Sequence, residues 1–256
     1  MFIDTHTHLY VEEFNEDRDV VIKECLSNSI HKLLLPNIDL NSIPSLLKLS
    51  NLYPKTCFPM MGLHPCSVNS NYENDLISIK KTLDKNDFIA IGEIGIDLYW
   101  DKSTLKIQED AFATQINWAK EKKLPIVIHA RESYNEIFNV LDKMNDNNLS
   151  GVFHCFTGTQ KQAEKIINYG NFKLGIGGVV TFKNGGLDKT LKNISLDHLV
   201  LETDSPYLSP SPFRGKRNKS PYLVYIAEKL SEIYNCKIND IAEQTTKNAL
   251  EIFNLD

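Results

Sequence analysis

The chain has 256 residues, 42% hydrophobic and 24% charged, which gives enough apolar mass for a full core in one barrel-sized domain or two smaller ones. Its formal net charge of -5 excludes a broad basic surface for coating nucleic acid, but not a nucleic-acid enzyme whose ions add positive charge. The five cysteines form no CxxC pair, and neither a leader-like start nor a long apolar run occurs, so free thiols and a cytoplasmic, non-membrane protein are expected.

Taken in chain order, short β-rich runs alternate with segments of helical spacing. Strands are predicted at 2–7, 32–35, 57–62, 88–92, 125–130, 151–156, 172–178 and 198–203. Helices are predicted at 12–29, 108–122, 134–145 and 160–169, with helix-sized gaps elsewhere. Eight βα repeats in this length predict an α/β (β/α)8 TIM barrel occupying 1–256 as a single domain. An open doubly wound sheet is the alternative that pattern alone leaves standing. The helix after the seventh strand is interrupted by Asn184-Gly185-Gly186. After the last strand, a proline-rich loop through 205–221 leads into two closing helices, 222–234 and 238–253.

Residues able to bind metal fall where this reading puts strand ends. His6 and His8 close the first strand, Glu93 the fourth, His129 the fifth, His154 the sixth and Asp204 the eighth. In a barrel all of these lie on the C-terminal rim, and residues two apart on a strand point the same way. Asp4 and Glu202 share that parity one layer deeper. A single histidine at a strand end is usually a hydrogen-bonded structural residue, and a single acid is usually a helix cap. Six converging on one rim need a shared partner, because unpaired polar groups are costly to bury together. Four imidazoles and two carboxylates suit two divalent ions, with magnesium, manganese and zinc all compatible with the mixed set. The expected division places His6, His8 and Asp204 on one ion and His129 and His154 on the other, bridged by Glu93. Asp204 and Glu93 are the expected catalytic residues, Asp204 accepting a proton from the attacking water.

The blocks THTHL, GLHP at 62–65, IGEIGID at 91–97, IVIHARES at 126–133, FHCFTG at 153–158, LETDSPYL at 201–208 and RGKRN at 214–218 resemble the TatD family of metal-dependent deoxyribonucleases. They occur in order over nearly the whole chain. The resemblance implies a (β/α)8 fold of the amidohydrolase-like group, a two-metal centre, and hydrolysis of DNA phosphodiesters with 3′-to-5′ exonuclease action. By position it implies the same six ligands. It also matches His64 to a pocket histidine, expected here to hold a substrate phosphate.

Further substrate contacts are expected from Arg131, two residues beyond His129, and from Arg214 and Arg217 in the densest basic cluster, which also contains Lys216. DNA, as single strands or duplex ends, is the expected partner, held through a local basic lip with salt-sensitive affinity. Tyr207, Phe213, Tyr99 and Trp100 are placed either to stack on an unpaired base or to pack in the core. Rival readings are a hydrolase of the same barrel class acting on another ester, lactone or amide, and a non-catalytic metal-binding barrel. The second predicts gaps in the ligand set, and none is present.

Overall fold

The computed structural model describes residues 1–256. Eight strands, β1 (Phe2–Asp4), β2 (Ile30–Leu35), β3 (Cys57–Pro59), β4 (Ile91–Asp97), β5 (Ile126–Arg131), β6 (Gly151–Phe153), β7 (Phe172–Ile176) and β8 (Leu199–Leu201), alternate with helices. The helices are α1 (Arg18–Ser27), α2 (Ile43–Leu52), α3 (Tyr72–Leu83), α4 (Leu105–Lys122), α5 (Tyr134–Met144), α6 (Gln160–Asn168) and α7 (Leu187–Leu191), then α8 (Leu223–Tyr234) and α9 (Ile238–Phe253).

All strand pairs are parallel, running β1-β2-β3 and β4 through β8 in sequence order. Backbone bonds at two seams close the ring. Met61 N donates to Ala90 O (3.2 Å) and Gly92 N to Met61 O (3.1 Å) between the third and fourth strands. Thr5 N donates to Leu201 O (2.9 Å) and Asp204 N to His6 O (2.9 Å) between the last and first. The result is the TIM barrel expected, and the open sheet is excluded.

The core divides as a barrel requires. A small inner cluster joins Ile3, Leu34, Met60, Ala90, Val127, Val152 and Val200, and Ala249 and Phe253 of α9 pack against it. A much larger cluster fills the layer between strands and surrounding helices. Alternation then dictates what reaches the rim: Val127 predicts an inward His129, Val152 an inward His154, and Val200 an inward Glu202 and Asp204.

Several strands, β1, β3 and β6 among them, end earlier than the sequence reading placed them, and three further differences bear on the site. The fourth strand runs on to Asp97, so Glu93 lies within it rather than closing it. A register irregularity between Ile91 and Ile94 lets the apolar run continue into polar residues that still face inward. The 12–29 helix is shorter at its start, beginning at Arg18, whose guanidinium donates to the carbonyls of Leu9 (2.6 Å), Tyr10 (3.2 Å) and Val11 (2.9 Å) and fixes the preceding turn. The helix after β7 shrinks to a five-residue α7, entered through Gly186 at φ 69°. No helix is long and apolar enough to cross a membrane.

Candidate metal centre

All six predicted ligands meet at the C-terminal mouth. Glu93 lies at the middle, 2% exposed, and its two oxygens face different histidines. Oε2 is 3.1 Å from His6 Nε2 and 3.7 Å from His8 Nε2. Oε1 is 2.8 Å from His129 Nδ1, 3.3 Å from His64 Nε2 and 3.7 Å from His154 Nε2. Asp204, at φ 57°, brings Oδ1 to 3.5 Å from His8 Nε2 and 3.8 Å from His6 Nε2, and Oδ2 to 3.9 Å from His154 Nε2. His154 stacks on His6, ring centroids 3.5 Å apart, so it lies between the two expected groups rather than wholly with His129.

His129, His154 and His8 are each aimed by a polar neighbour at the far nitrogen, whereas His6 Nδ1 has no partner. His129 Nε2 is 2.8 Å from Asp97 Oδ2, which leaves Nδ1 to face Glu93. His154 Nδ1 is 3.0 Å from Glu202 Oε1, which leaves Nε2 to face the cavity. Tyr10 donates its hydroxyl to Pro36 O (2.5 Å), so at 3.0 Å His8 Nδ1 donates to that hydroxyl and Nε2 keeps its lone pair. His64 differs. Its Nδ1 accepts from Cys66 N (3.1 Å), so Nε2 carries the hydrogen and is a donor rather than a ligand.

Two glycines make these partners possible. A Cβ on Gly95, at φ 140°, would lie 2.1 Å from the His129 carbonyl oxygen, and one on Gly175 would lie 2.2 Å from Glu202 Oε2. Of the partners, the sequence reading noted only Glu202, as a deeper residue of the right parity. It missed Asp97 and Tyr10. Asp97 was findable, because it shares parity with Glu93 in IGEIGID. Tyr10 was not, because it lies beyond the strand in a turn.

The donor set fits metal cations. His8 Nε2, His129 Nδ1, His154 Nε2 and both carboxylates all present lone pairs inward, and His64 Nε2–H cannot satisfy them all. Without a cation a proton takes up the surplus. Burial pulls the His154 pKa down, but Glu202, Glu93 and Asp204 outweigh it and push it up to about 10. Burial raises the Glu93 and Asp204 carboxyls, yet the surrounding imidazoles hold both below the usual range. For Asp97 the same contest, decided by the His129 hydrogen bond, leaves a pKa of about 2.

The centre opens into a cavity of about 600 Å³, lined by His8, His64, Glu93, Asp97, Trp100, His129, Arg131, His154, Asp204 and Tyr207 among others. Arg131 therefore reaches the mouth, where its guanidinium lies 3.8 Å from the Tyr99 ring centroid and 5.6 Å from that of Trp100. Arg214 and Arg217 are not among the lining residues. Arg214 stacks on Phe182 (4.1 Å). Arg217 is committed to Asp17, with Nη2 at 2.5 Å and Nη1 at 3.0 Å from its two carboxylate oxygens, and to the Glu13 carbonyl. Phe213 is stacked on Tyr222 (4.0 Å) and edge-on to Tyr225, so it packs rather than facing the cavity.

A parallel barrel with histidines and a bridging-type carboxylate at its C-terminal mouth defines the class of metal-dependent hydrolases. Residues 3–254 match the family of TatD related DNases, and the chain belongs to that family. It is 36% identical over 257 residues to the uncharacterised metal-dependent hydrolase YabD of Bacillus subtilis, covering 100% of both chains. It is 37% identical to an uncharacterised metal-dependent hydrolase of Buchnera aphidicola, covering 99% of each. The crystal structure of YjjV, a TatD homologue from Escherichia coli, superposes with a TM-score of 0.93 at 26% identity, covering 100% of this chain and 98% of that one.

Proposed function

We propose that this metal-dependent hydrolase cleaves DNA phosphodiester bonds, removing nucleotides from 3′ ends, at a centre of two divalent ions. The observation that carries the reading is Glu93, whose oxygens face His6 and His8 on one side and His129 and His154 on the other. Divalent ions held by these residues would supply an activated water and offset charge on an attacked phosphoryl group. Magnesium, manganese and zinc all match the ligand types.

The chain's own groups provide the rest. Asp204, its side chain 13% exposed beside three imidazoles, is placed to take a proton from the attacking water. Arg131 makes no ion pair with a carboxylate, so its fork is free for a phosphate at the mouth. His64, whose Nε2–H lies beside Glu93 Oε1, would offer that hydrogen to a phosphate oxygen. Arg214 lies outside the cavity and serves a more distant part of the strand, whereas Arg217 is already neutralised by Asp17.

The test is end-labelled single-stranded and duplex DNA incubated with metal-stripped protein, with magnesium, manganese or zinc returned. Restored trimming from the 3′ end, absent in His129→Ala and Asp204→Ala, is expected. Protein that binds ions yet cleaves no DNA would move the search to other esters and amides.

A further inference from the structure

Large hydrophobic side chains are expensive to leave in water, and a contiguous set of them marks a contact surface. Here four flank the mouth in two pairs: Trp100 is 72% exposed and Tyr99 49%, Tyr207 47% and Leu208 43%. Trp100, Tyr207 and Leu208 line the cavity itself. They come from two places only, the turn after β4 and the turn after β8. In a closed ring of eight strands paired in sequence order, those turns lie across the barrel from each other.

Each wall is also held in place from behind. Trp100 meets Tyr99 edge-on (4.8 Å), Tyr99 carries Arg131 on its face (3.8 Å), and Asp97 Oδ1 accepts from Tyr99 N (3.0 Å) and Trp100 N (3.4 Å). Tyr207 rests edge-on against His8 (5.9 Å), and its N donates to Asp204 O (2.8 Å). Both turns are thus anchored directly to residues of the metal centre. A ligand whose reacting group is at Glu93 has one aromatic face on either side of it.

We infer that Trp100 and Tyr207 are two base-stacking walls, one for the nucleotide on each side of the scissile phosphate, with Arg131 on the phosphate beside Trp100. This rests on the phosphodiesterase reading. The occupant is a two-nucleotide step of an unpaired strand. Its phosphate must descend to Glu93 at 2% exposure, while its bases need apolar faces nearer the solvent. One unpartnered cation and two opposed rings match one phosphodiester flanked by two bases. Stacking of this kind tolerates any base, so the walls fix footprint rather than sequence.

The experiment uses the full chain with short oligonucleotides that carry 2-aminopurine, or an abasic residue, at one side of the scissile bond or the other. Wild-type protein should quench 2-aminopurine at both positions, and an abasic residue at either should weaken binding by about tenfold, the range of one base–aromatic stack. Trp100→Ala should erase quenching and the base-to-abasic ratio at one position. Tyr207→Ala should erase them at the other, and Trp100→Phe should retain most of both. Unchanged ratios in both alanine variants, or loss at the same position in both, would overturn the inference. DNA cleavage is scored separately on the same samples. Quenching without cleavage would support the walls and sink the nuclease reading, whereas cleavage without quenching does the reverse.

Discussion

Asp97→Asn tests whether the carboxylate behind His129 aims it at an ion. Asp97 is 2% exposed, and its backbone is clamped by Gln108, which accepts from Asp97 N (2.8 Å) and donates to Asp97 O (3.0 Å). The side chain therefore cannot swing away from the substitution. Its Oδ1 accepts from Tyr99 N and its Oδ2 from His129 Nε2–H at 2.8 Å, so an amide must present a donor to one of these donors. If the NH2 faces the ring, His129 moves its hydrogen to Nδ1, the atom that faces Glu93, and Nδ1 can no longer ligate. Loss of such a partner weakens metal affinity by about 10- to 100-fold, which is about 1.4–2.7 kcal/mol. Calorimetric titration of metal-stripped protein should show one ion weakened by that factor and the other near its wild-type value, because His6 and His8 do not touch Asp97. Two ions bound with wild-type affinity, or both weakened equally, would refute the assignment.

Glu93→Ala should abolish hydrolysis while thermal unfolding stays cooperative; turnover above about a tenth of wild type would count against a shared bridging carboxylate. Arg131→Ala should weaken DNA binding and lower the slope of log K against log salt by about 0.7, one single-strand phosphate contact. Arg217→Ala should leave that slope unchanged and cost at most about 1 kcal/mol of stability, because its pair with Asp17 is more than a third exposed and screened. In ion-free protein, His154 is raised from 6.5 to about 10, so its proton stabilises the fold fully below 6.5, and this is lost as pH rises through about 10. Melting temperature under chelation should therefore fall from pH 7 to 10, and saturating metal should remove that slope by displacing the proton. An identical slope with and without metal would contradict it.

The sequence made the barrel and the convergence of the candidate ligands legible for the same physical reason. Strand periodicity of two places alternate residues on one face, and the ligands follow apolar inward residues such as Val127 and Val152 at that spacing. Where the chain departs from regular strand, the reading lost accuracy. Ending the fourth strand at 92 left Asp97 outside it, although its parity with Glu93 was visible, and the turn after β1 hid Tyr10. Arg214 and Arg217 fall outside the cavity for a different reason. Charge density in 214–218 is visible in one dimension, but the acidic partner of Arg217 is Asp17, 200 residues away. Arg131, with no run of charge around it, is the one that reaches the cavity.

On the proposed phosphodiesterase reading, the division of labour between strands and turns accounts for how an acidic chain would handle a polyanion. Glu93, Asp97, Glu202 and Asp204 gather around one point, and their charges repel a phosphodiester until cations offset them. These carboxylates lie at or just beyond β4 and β8, all but Asp204 buried and each beside an imidazole, so the site's geometry is fixed before substrate arrives. The groups that would touch bases and the flanking phosphate lie in exposed turns after those strands and at the last residue of β5. On the proposed reading the metal chemistry stays with the strands, and Trp100, Arg131 and Tyr207 are the groups that would set this chain's substrate preference.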